Sequence, residues 1–182
     1  MERTHLPGKR SNSMDVRAAT VDDARAIADV HVRSWRWTYR GLLPDTYLED
    51  LSVDRGESMW ATIVGDTDGD SRVLVLVEGG GVMGFAHTCP SRDGDARPGV
   101  GELTSIYLAP EAWGRGGGRL LMERVCEHLR QGGCRSVTLW VLETNDRARG
   151  FYEVLGWAPD GARRVDDERG FPMVEVRYRR EL

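Results

Sequence analysis

A group of glycines stands directly in front of a helix-like segment near the middle of the chain. The glycines are Gly114, Gly116, Gly117 and Gly118. They follow a proline turn and precede apolar residues at helical spacing (LAPEAWGRGGGRLLM, residues 108–122). Glycine leaves backbone amides open to an anion, and a helix N-terminus carries a partial positive charge, so the segment predicts a loop that holds a pyrophosphate. Arg115 and Arg119 would add charge at the rim of that loop.

Two common phosphate-binding loops fit this segment badly. A P-loop ends in Lys-Ser or Lys-Thr, whereas Arg119 and Leu120 stand here. The dinucleotide fingerprint G-x-G-x-x-G would require a glycine at position 119. A glycine-rich turn can also simply begin a helix, so its function depends on what else the chain contains.

The loop resembles the acetyl-CoA-binding motif of the GCN5-related N-acetyltransferase (GNAT) family. That motif is Gln/Arg-x-x-Gly-x-Gly/Ala after a strand that ends in an apolar-x-Pro turn. Gly116 and Gly118 match the two small positions, whereas Trp113 departs from the Gln/Arg position. The departure removes a polar contact but leaves the amides, because these belong to the backbone.

A second motif lies about 30 residues downstream. Asn145 to Trp157 (NDRARGFYEVLGW) is similar to the family's N-x-x-A-x-x-F-Y-x-x-x-G-F signature, with Trp157 in place of the final phenylalanine. The early stretch HVRSWRWTYRGLLPDTYL also resembles the first helical pair of bacterial members. Together the resemblances extend from about Val16 to Tyr178.

The resemblance implies an acetyl-CoA-dependent acyltransferase and a position for each part of the cofactor. The pantetheine would pair with the main chain of Ile106, Tyr107 and Leu108, and the pyrophosphate with the loop from Trp113 to Arg119. Asn145 matches a family asparagine that contacts the cofactor. An asparagine after a strand can equally be the N-cap of the next helix, and both roles remain open.

Acetyl transfer also requires an acid for the departing thiolate and a base for the amine. Tyr152 matches the tyrosine that the family commonly uses as the acid, although it would also pack beside Phe151 on the apolar face of a helix. Glu102 lies on the strand that the family uses for a base, and a carboxylate suits the deprotonation of an alkylamine. The alternative for Glu102 is a strand-edge residue that faces solvent.

Aromatic side chains in the first helical region predict the wall of an acceptor site. The resemblance places Trp35, Trp37, Tyr39 and Tyr47 beside the acceptor, where aromatic rings would hold a cationic or hydrophobic amine. Core packing is the alternative, especially for Trp35, which lies on an apolar helical stripe. His31 on the same stripe is expected to be a packed or a surface residue rather than a catalyst.

The pattern of apolar residues predicts one α/β domain from residue 14 to 182. A strand, two helices, three strands, a helix, a strand, a helix and one or two further strands follow in order. Residues 100–142 form a β-α-β unit. The GNAT fold implied by the resemblance is a mixed, mostly antiparallel sheet of six to seven strands, with helices on both faces and a splayed parallel pair at the cofactor site. Residues 1–13 are expected to be a flexible leader.

Composition limits the partners of the protein. A net charge of -4 over 182 residues leaves no basic surface for nucleic acid. No apolar run approaches the ~20 residues of a membrane span, so we expect a cytoplasmic protein. The three cysteines lack the spacing of metal ligands or of a redox pair, and no metal is expected.

The sequence thus predicts the transfer of an acetyl group to a primary amine, most readily that of a small molecule. A protein N-terminus or lysine is an alternative acceptor, although a peptide would need a long open groove. A non-catalytic acyl-CoA-binding module is a third hypothesis. Many family members dimerise, so a homodimer is also considered.

Overall fold

The fold is described from a computed structural model over residues 13–66 and 69–182. Within these ranges, seven strands are β1 (Asp15–Ala18), β2 (Arg72–Glu78), β3 (Gly81–Pro90), β4 (Val100–Leu108), β5 (Ser136–Leu142), β6 (Ala158–Asp166) and β7 (Met173–Glu181). The helices are α1 (Ala24–Thr38), α2 (Asp45–Asp50), α3 (Val53–Gly65), α4 (Gly117–Gln131) and α5 (Asp146–Val154). Short 3-10 turns precede α1 and α4. The expected leader lies outside the described residues except for Ser13.

The strands form one sheet in the order β1-β2-β3-β4-β5-β7-β6. All neighbours are antiparallel except β4 and β5, the parallel pair of the predicted β-α-β unit. The ladder between β4 and β5 contains three residue pairs and ends at Glu102 and Thr138. Beyond that point the two strands separate, which confirms the splayed parallel pair.

The two faces of the sheet carry separate apolar clusters, because neighbouring residues of a strand point to opposite sides. Val73 and Val75 of β2 pack with α1 and α3, whereas Leu74 and Leu76 pack with the cluster that contains α4. Strand β5 is buried along most of its length, as its continuous apolar sequence predicts. Helices therefore cover both faces of the sheet.

Three local details concern where the helices begin and which residues they bury. Helix α3 buries Trp60, whereas the preceding residue, Met59, faces the cavity described below. Met59 is therefore 43% exposed. Helix α4 begins at Gly117, inside the glycine loop. The capping box of Thr20 and Asp23 begins a 3-10 turn that leads into α1, rather than the α-helix itself.

Among the described residues, no helix is both long and apolar enough to cross a membrane.

Candidate active site

A cavity of about 1100 Å³ opens where β4 and β5 separate. Strand β4, α1, the glycine loop, α5 and the β6–β7 turn all contribute to its wall. Strand β4 also has a bulge at this point, since His87 pairs with Ser105 and Thr88 pairs with Leu103, leaving Thr104 without a partner in the ladder. The break in pairing and the bulge leave main-chain groups of β4 facing the cavity.

The carbonyl group of Leu108 at the end of β4 is already engaged within the protein. It accepts hydrogen bonds from Ser34 Oγ at 2.5 Å and from Trp113 Nε1 at 3.1 Å. These bonds hold α1 and the start of the glycine loop against the end of the strand. Among the three residues predicted to pair with pantetheine, Ile106 is therefore the better candidate for a contact through a carbonyl oxygen, because the main-chain groups of Tyr107 point toward Phe85 of β3.

The glycines of the loop are required for two different structural reasons. Gly114 and Gly116 have φ angles of +70° and +87°, a region that other residues rarely adopt, and a Cβ on either would meet nothing within 4 Å. Gly117 and Gly118 instead allow close packing, since a Cβ would lie 2.7 Å from Leu76 and 3.2 Å from Phe151, respectively.

The loop also leaves backbone amides free at the start of α4. Gly116 is the N-cap of the helix, and the first bond across the cap runs from the Leu120 amide to the Gly116 carbonyl oxygen at 3.1 Å. The amides of residues 117–119 precede that bond and have no acceptor within the helix. Free amides at a helix N-terminus are the feature on which the predicted anion site depends, and its contact with the pyrophosphate stays a prediction.

The two arginines of the loop differ in their surroundings. Both guanidinium nitrogens of Arg115 bind the Glu78 carboxylate, at 2.8 and 2.6 Å. This ion pair uses the charge that was expected at the rim, so the side chain of Arg115 is a poor candidate for phosphate binding. Arg119 lines the cavity and makes no ion pair with any described residue, so its charge is available there.

A third arginine near the loop was not predicted from the sequence. The guanidinium carbon of Arg147, on α5, lies 3.9 Å from the ring centre of Trp113 and 5.3 Å from that of Trp37. The two indoles are themselves in edge-to-face contact at 4.4 Å. The guanidinium group of Arg147 thus packs on Trp113, the residue that stands at the family's Gln/Arg position. The only sequence signal was its place inside the second motif, two residues after Asn145.

Two predicted site residues of the second motif, Tyr152 and Asn145, lie in the cavity wall. Tyr152 is buried, with Phe151 and Trp157 ring centres at 5.5 and 6.0 Å. Its hydroxyl makes no hydrogen bond with the described residues, and burial raises its pKa, so the phenol keeps its proton. Asn145 accepts a hydrogen bond from the Ala148 amide at 3.1 Å, which confirms the helix-capping alternative. Its contact with the cofactor stays a prediction.

Glu102 is buried and does not face solvent as a strand-edge residue would. Its carboxylate accepts three hydrogen bonds from Arg92: from Nη2 at 2.7 Å, and from Nε and the backbone amide at 3.1 Å each. Both carboxylate oxygens are thus already occupied by hydrogen bonds from one arginine. The predicted base role of Glu102 is therefore in competition with an ion pair.

The segment that carries Arg92 is held on the sheet by a buried arginine of β7. Arg177 contacts the carboxylates of Asp93, Asp95 and Asp160 at 3.0, 2.6 and 2.8 Å. Asp93 also accepts a hydrogen bond from Trp140 Nε1 at 2.9 Å. This cluster keeps the loop after β3 against the sheet beside the cavity.

The predicted aromatic wall is only partly correct. Trp35 and Tyr39 line the cavity together with Tyr107, whereas Trp37 is 56% exposed and packs on Trp113 outside it. The reason is helical geometry, because residues two positions apart point to different sides of a helix. Burial raises the pKa of Tyr39 and of Tyr107, so both phenols stay neutral at neutral pH.

His31 lines the cavity beside these aromatic residues. Its ring stacks on Tyr107 at 5.4 Å, and its Nδ1 accepts a hydrogen bond from Trp60 Nε1 at 3.3 Å. Burial lowers its pKa from 6.5 to about 4, so the imidazole is neutral. With Nδ1 used as an acceptor, the proton of the ring resides on Nε2.

Comparisons with known proteins agree with the geometry. The model of the acetyltransferase (GNAT) family matches residues 27–157. Uncharacterized N-acetyltransferase YuaI of Bacillus subtilis is 38% identical over 135 residues, which cover 71% of this chain and 72% of YuaI. Mycothiol acetyltransferase of Nocardia farcinica is 34% identical over 153 residues, covering 78% of this chain and 44% of that longer protein.

A solved structure supports the fold. The YncA acetyltransferase of Salmonella typhimurium, solved with acetyl-CoA, superposes with a TM-score of 0.69 at 20% identity, covering 93% of this chain and 94% of that one. The splayed β4–β5 pair and the glycine loop define the class as acyl-CoA-binding α/β proteins. The chain belongs to the GNAT family and is an acetyl-CoA-dependent N-acetyltransferase.

Proposed function

We propose that the protein acetylates the primary amine of a small molecule by direct attack in a ternary complex. The observation that carries the proposal is the Tyr152 hydroxyl, a protonated phenol in the wall of the cavity with no hydrogen-bond partner among the described residues. The cavity also joins the glycine loop to the aromatic wall, so both substrates fit in one space.

The donor binds through two parts of the site. The pyrophosphate lies on the amides of residues 117–119, with Arg119 and Arg147 supplying positive charge. The pantetheine follows the open edge of β4 past Ile106 and Tyr107, and Asn145 contacts it from the other side. Trp113 contributes its ring as a support for Arg147 rather than as a polar ligand.

The reaction itself needs few protein groups. The amine nitrogen attacks the thioester carbon, the carbon–nitrogen bond forms, and the carbon–sulfur bond breaks. Tyr152 gives its proton to the departing thiolate and recovers one from solvent afterwards. Glu102 is the base predicted from the sequence, subject to its competition with Arg92.

A small acceptor fits the walls better than a peptide does. Trp35, Tyr39 and Tyr107 close one side, and the β6–β7 turn with Asp166 and Arg169 lines another. A mycothiol acetyltransferase among the relatives is consistent with a small acceptor. A protein substrate and a non-catalytic module are the outcomes that the following test can reveal.

Two tyrosine variants separate chemistry from packing. Tyr152→Phe removes a hydroxyl without a partner, so CoA affinity and melting temperature should barely change, while thiol release with an amine library falls about 10- to 1000-fold. Tyr178→Phe is the matched control, because its hydroxyl donates to Glu153 at 2.7 Å and accepts from Arg149 at 3.2 Å. It should lower stability by about 1 kcal/mol and leave turnover nearly unchanged.

The opposite pattern would contradict the proposal. If Tyr152→Phe lowered the melting temperature, CoA affinity and turnover together, Tyr152 would be a packing residue. If the wild type released no thiol with any amine but did so with peptides, the acceptor would be a protein. If it bound CoA without turnover, the binding module would be supported.

A further inference from the structure

Two of the cavity's candidate bases already use most or all of their acceptor sites in hydrogen bonds within the protein. Both oxygens of Glu102 accept hydrogen bonds from Arg92. The Nδ1 lone pair of His31 accepts from Trp60, which leaves a proton on Nε2 and no free acceptor on the neutral ring. Since an ammonium acceptor must lose a proton before attack, another route for that proton is needed.

Such a route runs through His87 on β3. Its Nδ1 lies 2.6 Å from Thr104 Oγ1, and its Nε2 lies 2.6 Å from Ser71 Oγ. Thr104 is the bulge residue of β4 and lines the cavity, as does His87 itself. Ser71 stands outside the cavity wall, immediately before β2. The three side chains form a continuous hydrogen-bonded chain with one end in the cavity.

We propose that Thr104, His87 and Ser71 form a proton relay that carries the proton of the acceptor amine from the cavity to solvent. The proposal rests on the proposed function, because it assumes an amine in this cavity. It identifies the bulge of β4 as the place where the proton leaves, and not only as a distortion that opens the strand.

Each transfer in the relay balances. The ammonium gives a proton to Thr104 Oγ1 as the hydroxyl proton of Thr104 passes to Nδ1 of His87. The imidazolium then releases its Nε2 proton to Ser71 Oγ, and the proton of Ser71 goes to water. The ring returns to its first tautomer by proton exchange with water after the products leave. Between turnovers the Thr104 hydroxyl has a second acceptor, the His87 carbonyl oxygen at 3.3 Å.

The surroundings keep His87 neutral and able to accept a proton. Burial and the nearby Arg92 lower its pKa, and Glu102 acts in the opposite direction. From α3, the uncharged Trp60 ring faces His87 at 6.1 Å. A neutral imidazole with a hydroxyl on each nitrogen can both take and give a proton, which neither the paired Glu102 nor His31 offers.

Three variants interrupt the relay at successive points. Thr104→Val keeps the shape of the side chain and removes the hydroxyl, His87→Gln removes the titrating ring, and Ser71→Ala opens the outer end. Turnover of acetyl-CoA with phenethylamine, an aromatic primary amine, is measured from pH 5.5 to 9.5 by thiol release. Hydrolysis of acetyl-CoA, in which the attacking water also loses a proton, is measured in parallel.

We expect Thr104→Val and His87→Gln to lower kcat about 10- to 100-fold at pH 7, and to abolish its acidic limb, with the KM for acetyl-CoA unchanged. Ser71→Ala should lower kcat only about 2- to 5-fold, since water can replace a hydroxyl near the surface. His128→Gln, on α4 outside the cavity, is the matched control and should leave kcat and the profile unchanged.

The relay is overturned if Thr104→Val and His87→Gln keep the wild-type kcat and pH profile. It is also overturned if Glu102→Gln alone abolishes the acidic limb, which would identify Glu102 as the base. A parallel loss of CoA affinity in both relay variants would show a structural role instead. If the wild type releases no thiol with phenethylamine, with any other amine of the library or by hydrolysis, the proposed function fails first, and the relay fails with it.

Discussion

Gly116, directly before α4, offers a test of the predicted anion site. Gly133, just after the end of the same helix, provides the matched control. Gly116 precedes α4 with φ at +87°, and Gly133 follows α4 with φ at +85°. A Cβ on either residue would meet no atom within 4 Å, so neither alanine variant creates a clash. The two variants therefore share the same backbone strain and differ only in that Gly116 lines the cavity.

The magnitudes follow from these positions. Alanine in the left-handed region costs about 1–2 kcal/mol, which in a domain of this size lowers the melting temperature by about 2–8 °C for both variants. Only the methyl group of Gly116→Ala enters the space proposed for the pyrophosphate. Loss of one hydrogen bond to a charged group, about 1.5–3 kcal/mol, weakens CoA binding about 10- to 100-fold.

Calorimetric titration with CoA and thermal unfolding of the two variants make the comparison. The expected result is an equal loss of stability and an unequal loss of affinity, with Gly133→Ala binding CoA as the wild type does. If Gly116→Ala and Gly133→Ala both bound CoA as tightly as the wild type, the placement of the pyrophosphate would be refuted. Equal weakening in both would show that stability, and not the position of the methyl group, controls binding.

Three further predictions concern charge. Arg147→Gln should weaken CoA binding about 5- to 30-fold and leave acetyl-pantetheine binding unchanged by calorimetry, whereas Arg124→Gln on the outer face of α4 should change neither. The pKa of His31 is lowered from 6.5 to about 4, so the unfolded chain takes up a proton first as pH falls. As the pH falls from 6.5 to about 4, the free energy of unfolding should therefore decrease by about 3 kcal/mol. Urea unfolding of His31→Gln, measured over the same pH range, should not show this decrease. Arg177→Met leaves the largely buried Asp93 carboxylate without its cationic partner and should lower the melting temperature by about 10 °C in a thermal scan.

The parts of the fold that the sequence predicts are those fixed by neighbours within one turn of helix or one strand. The start of α4 needs glycines with φ that only glycine adopts readily, and the cap of α5 needs an asparagine three residues before the amide that it accepts from. Strand β5 needs apolar residues on both faces. Each requirement involves residues that are close together in the sequence, so each could be predicted from the sequence alone.

Contacts between distant segments were not predictable in this way. Arg147 and Trp113 are 34 positions apart, and only the sheet brings them together. The ion pair of Glu102 with Arg92 could not be predicted either. The pattern of a strand indicates which face of the sheet a side chain lies on, but not which arginine contacts it there. Trp37 differs, since its spacing from Trp35 already indicated that the two indoles could not share one wall.

The separation of β4 and β5 has a consequence for the stability of the folded protein. Past Glu102 and Thr138, two inner strands carry edges of the kind that usually attract other chains into aggregates. Here the edges face each other inside the molecule, where an extended ligand with amide groups, such as pantetheine, can pair with them. Donor binding would then complete the sheet, and by mass action it stabilises the native state by about 2.7 kcal/mol at a hundred times its Kd. A saturating concentration of acyl-CoA should thus raise the melting temperature of the protein.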